Sequence, residues 1–345
     1  MKAAFLTGIE QVEVRDVAAP PPAGQGQVKI RVETVGVCGS DMHYYRIGRI
    51  GDQVVQFPWT IGHECAGTVV EAGSGVKNVK PGDRVAVDPL FVCGRCDQCR
   101  SGREHTCRSQ AFLGCPGQAP GALAEYIVVQ GRSCYPVPET VSAVQAAMIE
   151  PFSIGLYAQR LAGGVAGRTC AVLGTGPIGL SVVAALKAAG AANIYVTEIR
   201  DNRAQLAARL GADWTGNPNR QDVVEAILTA EPLGVDFAFE CAGEQDAVDQ
   251  CAQVAKPGAT ILLVGIPEAE RYGFEMNAMR RKELTVRNVR RQNGCVGAAI
   301  ELVAGGRVNL DPLVTHHFTM EQTAEAFDTV AYYRDNVVKA VIDVA

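Results

Sequence analysis

Thr169-Cys170-Ala171-Val172-Leu173-Gly174-Thr175-Gly176-Pro177-Ile178-Gly179 passes from a strand-like run, TCAVL, through three spaced glycines into the helix-like run PIGLSVVAALKAAG. Glycines at these three places permit a tight turn, close backbone approach to a pyrophosphate, and packing of the new helix on the strand. The pyrophosphate then rests on the partly positive helix N-terminus, which Pro177 and Ile178 open. Glu198 ends the next strand-like run, YVTE, 19 residues past Gly179. An acidic side chain there can accept hydrogen bonds from the adenosine ribose and repel a 2′-phosphate, so NAD is expected rather than NADP. Arg200 and Arg203 stand nearby and pull the other way, although Arg203 could equally lie over the adenine.

Outward from this turn the rhythm continues. NIYVTEI is strand-like, and DNRAQLAARLG is helix-like with Asp201 as a candidate N-cap and Gly211 at its end. VDFAFEC and GATILLVG extend the series. Strands alternating with helices of this length predict a parallel, doubly wound sheet. From residue 1 to about 150 the pattern differs: QVKIRVETVGV, CAGTVVEAG, DRVAVDPL and LAEYIVV are short strand-like runs broken by Gly, Pro and Asp. They predict an irregular β-barrel or sandwich. In the tail, AAIELVAGG and EQTAEAF read as helices and KAVIDVA as a last strand, while APPPAG at 19–24 reads as a surface loop.

A chain of 345 residues with 48% hydrophobic and 20% charged content can bury more than one core, so two domains are expected. The net charge of −5 lacks the positive surface that nucleic acid or an anionic membrane requires, and neither is expected as a partner. MKAAFLTGIEQVEV meets Glu10 before any apolar run develops, and no stretch approaches the roughly 20 apolar residues of a membrane span. A soluble, cytoplasmic protein is expected. Twelve cysteines in that setting point to reduced thiols or metal ligands rather than disulfides.

Four of those cysteines, Cys93, Cys96, Cys99 and Cys107, crowd into a segment rich in Gly, Arg and Asp with little apolar content. Four thiolates at such spacings can close a tetrahedral zinc site with no open position, which suits a structural metal. An iron–sulfur cluster is a rival use of the same residues. Arg95, Arg100, Arg103 and Arg108 give the segment some likeness to a nucleic-acid-binding zinc module, but aromatic residues are not interleaved among them. A second, scattered set consists of Cys38, His63, Glu64 and Glu150, which no regular spacing connects.

GVCGSDMHYY, IGHECAGTVVEAGSGV, KPGDRVAV, the four-cysteine segment, IEP and VLGTGPIG occur in that order along nearly the whole chain. Together they resemble the zinc-containing medium-chain dehydrogenase/reductase family. The resemblance implies an α/β molecule: a Rossmann domain over about 151–285, and a β-barrel catalytic domain formed by 1–150 and completed by 286–345. It implies two zinc ions per chain, one structural at the four cysteines and one catalytic at Cys38 and His63 with a carboxylate. Glu64 and Glu150 both match positions that approach the metal. Ser40 and His43 match the family's proton-relay positions.

Within the family, Glu150-Pro151 resembles the polyol and butanediol dehydrogenases, and the stretch HYYRIGRIG, residues 43–51, looks like the sorbitol and xylitol type of polyol dehydrogenase. Tyr44 would then face the substrate, with Phe112 and Arg291 as further pocket positions. The aromatic run of that subgroup is replaced here by Arg290-Arg291-Gln292. Arg280, Arg281, Lys282, Arg287, Arg290 and Arg291 leave a phosphorylated or acidic sugar open, although such a run is usually a solvated or subunit-facing surface. The resemblance implies hydride transfer from a secondary carbinol to the nicotinamide in a homotetramer or homodimer. Butanediol, threonine or simple alcohol oxidation, or a non-catalytic binding role for the fold, are the alternatives.

Overall fold

A computed structural model describes residues 1–344. The chain divides into two compact units, Met1–Glu150 with Val296–Ala345, and Pro151–Cys295.

In the second unit six parallel strands lie in the order Trp214–Gly216, Asn193–Thr197, Thr169–Leu173, Val235–Glu240, Ala255–Leu263, Thr285–Asn288. Numbered along the chain this is 3-2-1-4-5-6, the doubly wound Rossmann order. Cys170–Leu173 and Ile194–Thr197 are buried throughout, as strands covered on both faces must be. The turn 174–176 feeds helix Pro177–Ala188, whose Pro at the first position needs no backbone partner. The sequence reading ended this unit at 285, but Thr285–Asn288 pairs in parallel with Thr260–Leu263 as the sixth strand and carries the unit on to Cys295. Arg200, not Asp201, takes the N-cap position of helix Asp201–Leu210, without a side-chain capping bond, and Asp201 lies in the first turn, where it pairs with Arg220 at 2.9 Å. Gly211, at φ 112, ends that helix as expected.

The first unit is built on a seven-stranded sheet with Gln27–Gly36 near its centre. That strand pairs antiparallel with Glu64–Ala72 on one side, setting Gly36 opposite Glu64. On the other side it pairs with Tyr126–Gln130 over its first half and with Lys339–Asp343 over its end. The alternation in QVKIRVETVG puts Val28, Ile30 and Val32 into the core with Leu6, Ile61, Leu123 and Phe327. The tail forms helices Val296–Ala304 and Thr323–Ala331 and strand Lys339–Asp343, matching the three elements read from it. The stretch 19–24 is irregular and largely exposed. Among the described residues no helix is long and apolar enough to cross a membrane.

Candidate metal centres and dinucleotide turn

The four-cysteine segment folds back on itself so that its sulfurs converge. Cys93 to Cys107 is 3.5 Å, Cys96 to Cys99 3.6 Å, Cys96 to Cys107 3.9 Å and Cys93 to Cys99 4.0 Å. Tetrahedral zinc with bonds of about 2.3 Å places its sulfurs about 3.8 Å apart, so these distances fit the ion. Backbone N–H groups of Arg108 and Cys99 pull the Cys96 thiol down to about 6, and those of Arg95 and Cys96 lower Cys93. Burial pushes Cys99 up to about 12, and side-chain hydrogen bonds with Cys96 and Cys107 add to the rise. All twelve cysteines are free thiols. Leu90, Val92 and Cys107 form a small buried apolar cluster against which Cys93, Cys96, Cys99 and Phe112 pack.

Three members of the scattered set are brought together in the same unit, and Glu150 is not one of the three. One ligand atom each from Cys38, His63 and Glu64 lies within 4.8 Å of the others. Cys38 is the N-cap residue of helix Gly39–Ile47. His63 and Glu64 stand at the start of the strand paired to Gly36. Glu150 lies on helix Ala143–Ala162, directly before Pro151, with its Oε2 buried and without a hydrogen-bond partner. Burial pushes its carboxyl up to about 7, with His63 lowering it and Glu64 raising it. Burial opposes charge on His63, yet Cys38 and Asp41 outweigh it and hold its pKa well above the imidazole range. The site is short of positive charge, and a divalent cation suits it.

Two residues that sequence reading passed over belong to this centre. Asp41 is 1% exposed; its Oδ2 accepts the Cys38 N–H at 3.0 Å, and its Oδ1 lies 3.6 Å from His63 Nδ1. Nδ1 is thus turned to a carboxylate and Nε2 is left for the metal, the orienting arrangement metal-bound histidines commonly have. Lys339 is 2% exposed, donates to Val37 O at 3.0 Å and forms an ion pair with Glu64. Burial works against its charge, but Glu64 and Cys38 raise its pKa. Gly36 leaves room for the pair, since a Cβ there would stand 2.2 Å from Glu64 Oε2. Asp41 was visible in the CGSDMH motif. Nothing local distinguishes Lys339.

In the second unit the glycine turn has the predicted form. Gly174 takes φ +90, and its Cβ, if present, would meet Ala242 at 2.8 Å. A Cβ on Gly179 would stand 2.0 Å from Gly174 O. At Gly176 the nearest atom is Arg203 Nη1 at 4.0 Å, so the backbone is open where a phosphate would approach and a guanidinium reaches over it. Glu198 is 5% exposed; Oε2 accepts from Thr175 N at 2.8 Å and Oγ1 at 3.0 Å, and Oε1 accepts from Arg200 N at 2.9 Å. The carboxylate therefore staples the glycine turn to the neighbouring strand, and one Oε1 lone pair stays available to a ribose hydroxyl.

Ser40 and His43, at i and i+3 on helix Gly39–Ile47, share a face and are half-buried. Tyr44 is buried; its hydroxyl donates to Gln53 Oε1 at 3.0 Å and lies 3.6 Å from Cys115 Sγ. Phe112 lies against His63, the two ring centroids 5.2 Å apart. Arg291 lies in the other unit at φ 53. Within the basic run, Lys282 donates to the carbonyls of Ala252, Gln253 and Ala255 at the end of helix Gln245–Val254. Arg287 donates to Leu161 O, and Arg280, Arg281 and Arg290 are exposed.

Residues 24–139 match the alcohol dehydrogenase GroES-like domain, and 177–305 the zinc-binding dehydrogenase domain. A sorbitol dehydrogenase of Bacillus subtilis is 36% identical over 99% of this chain and 97% of its own length. An L-idonate 5-dehydrogenase of Vitis vinifera is 34% identical over 95% and 91%. Among solved structures, a candidate zinc-binding dehydrogenase from Sinorhizobium meliloti 1021, bound to NADP, matches with TM-score 0.91 and 33% identity over 99% of each chain. By its two domains in order, and by relatives of this identity over almost its full length, the chain belongs to the zinc-containing medium-chain dehydrogenase family as an alcohol-oxidising enzyme.

Proposed function

We propose that the enzyme oxidises a linear polyol of the sorbitol, xylitol or L-iditol type at C2 to the ketose, with NAD as acceptor. The observation that carries this reading is the oxygen-rich metal centre, in which Glu64 stands with Cys38 and His63 and a second buried carboxylate, Glu150, has an unpartnered oxygen. A centre with two carboxylates suits a hydroxyl-rich substrate better than an all-sulfur one. The sorbitol dehydrogenase likeness supports the same class.

When bound, zinc supplies a Lewis acid that lowers the pKa of an alcohol, and the dinucleotide supplies a hydride acceptor. Cys38, His63 and Glu64 hold the metal, Asp41 sets the His63 ring and Glu150 faces the same centre. Ser40 and His43, on one helix face, carry the released proton outward. Tyr44 and Phe112 wall the substrate side. Cys93, Cys96, Cys99 and Cys107 hold the second, structural zinc. Gly174, Gly176 and Gly179, with Pro177 and Ile178 opening the helix, cradle the pyrophosphate. Glu198 accepts from the ribose, and Arg203 lies over the adenosine. The enzyme works in the cytoplasm as a homotetramer or homodimer.

The test compares kcat/KM for sorbitol, xylitol, 2,3-butanediol, L-threonine and ethanol. A pocket built to bond several hydroxyls rejects a substrate lacking them by orders of magnitude, so ethanol is expected to be poor. Butanediol or threonine outrunning every polyol overturns the substrate class. Wild-type efficiency should be higher with NAD than with NADP, and Glu198→Ala should narrow the gap. A wild-type preference for NADP would refute the cofactor assignment.

A further inference from the structure

The strand that leads into the glycine turn, Thr169–Leu173, has Asn193–Thr197 on one side and Val235–Glu240 on the other. Each neighbour ends beside a glutamate. Glu198 fastens Thr175 directly. Glu240, 0% exposed, turns back so that its Oε1 accepts from Ala242 N at 2.7 Å and Gly243 N at 2.6 Å. Burial holds this carboxyl above its usual range, against the pull of the Gly243, Ala242, Glu244 and Gly265 N–H groups. An ionisable group kept in so dry a place is costly unless its acceptor capacity is used; here Oε1 is used, while Oε2 is buried without a hydrogen-bond partner.

The segment it grips is the one on which the glycine turn rests. Cys241 N donates to Leu173 O at 2.8 Å, immediately before Gly174. Ala242 occupies the space that a Cβ on Gly174 would fill, and the Cys241 Cβ lies 3.3 Å from where one would stand on Gly179. Gly265 permits the close approach on the far side, since a Cβ there would lie 2.4 Å from Gly243 N and 2.8 Å from Glu240 Oε2.

We infer that Glu240 is a positioning residue for dinucleotide binding, bracing the loop 241–243 so that the glycine turn keeps the shape that receives the pyrophosphate. The inference rests on the dinucleotide reading of that turn. What matters is an acceptor oxygen held at one place, not a negative charge. Glu240→Gln keeps the oxygen and drops the charge. Glu240→Asp keeps the charge and withdraws the oxygen by one methylene. Glu240→Ala removes both.

The experiment titrates zinc-loaded enzyme with NADH and follows nicotinamide fluorescence, then measures KM for the dinucleotide, KM for the polyol and kcat. Glu240→Gln should bind NADH near the wild-type Kd, and Glu240→Asp and Glu240→Ala should bind it about tenfold or more weakly. The rise should fall on Kd and on KM for the dinucleotide, with kcat at saturation, polyol KM and two zinc per chain retained. If Glu240→Ala does not fold, the Gln and Asp variants decide. Asp binding NADH as well as or better than Gln overturns the inference, as does a loss spread equally over polyol KM and zinc content. Wild-type enzyme that binds neither NADH nor NADPH removes the dinucleotide reading itself, a result separate from any ranking of variants.

Discussion

Lys339 shows how much one side chain can depend on another. Its ammonium is buried beside Glu64 and has one further partner, the Val37 carbonyl. Deleting one member of a buried ion pair leaves the other without compensation, at a cost of about 3–5 kcal/mol. Lys339→Met should therefore lower the denaturant midpoint, most of all in zinc-free enzyme where no other cation offsets Glu64, and Lys339→Arg, which keeps the charge, should lose less. Equal midpoints for wild type and Lys339→Met would show that the pair contributes nothing. Glu198 is a residue whose expected role is shared with another one. The sequence places a carboxylate at the ribose position, and the folded chain also uses it to hold Thr175.

At the scale of elements, the two metal segments differ in how their ligands are held. The lobe 93–107 contains a four-residue helix, Asp97–Arg100, and a single turn, Glu104–Thr106, over a very small apolar cluster. If the four thiolates hold zinc, that ion would supply the lobe's order, as in small zinc modules whose binding energy is their folding energy. Cys96→Ser should speed amide hydrogen exchange across 93–107 while leaving protection in the parallel strands 169–173 and 235–240 unchanged. Unaltered exchange in the lobe would show that it folds without its fourth ligand. The centre at Cys38 has a different support, because a helix N-terminus and the start of a sheet strand carry its ligands into a packed core. Cys38→Ser should abolish turnover with that sheet intact.

Across the whole molecule, two centres so differently built predict two zinc ions per chain with separable behaviour. Elemental analysis of wild type should find two. Cys38→Ser and Cys96→Ser should each find one, the first inactive and stable, the second lowered in unfolding midpoint. One zinc per chain in fully active enzyme would contradict the assignment.

What the sequence determined by itself is what lies close along the chain. The glycine turn, its strand and its helix are consecutive, and the four cysteines fall within fifteen residues of one another, so spacing alone carries their geometry. The alternation of strands and helices was enough for the parallel sheet, though not for its last strand, because Thr285–Asn288 is short and mostly exposed and has no strong hydrophobic pattern. The proposed catalytic centre was legible only through family likeness. Its members come from Cys38, His63, Glu64 and Glu150, and Lys339 joins from the far end of the chain. The antiparallel register of Gln27–Gly36 with Glu64–Ala72 and Lys339–Asp343 decides that Glu64 and Lys339 meet. A shift of that register by one residue would turn Glu64 to the opposite face of its strand, and local periodicity does not encode which strand becomes whose neighbour.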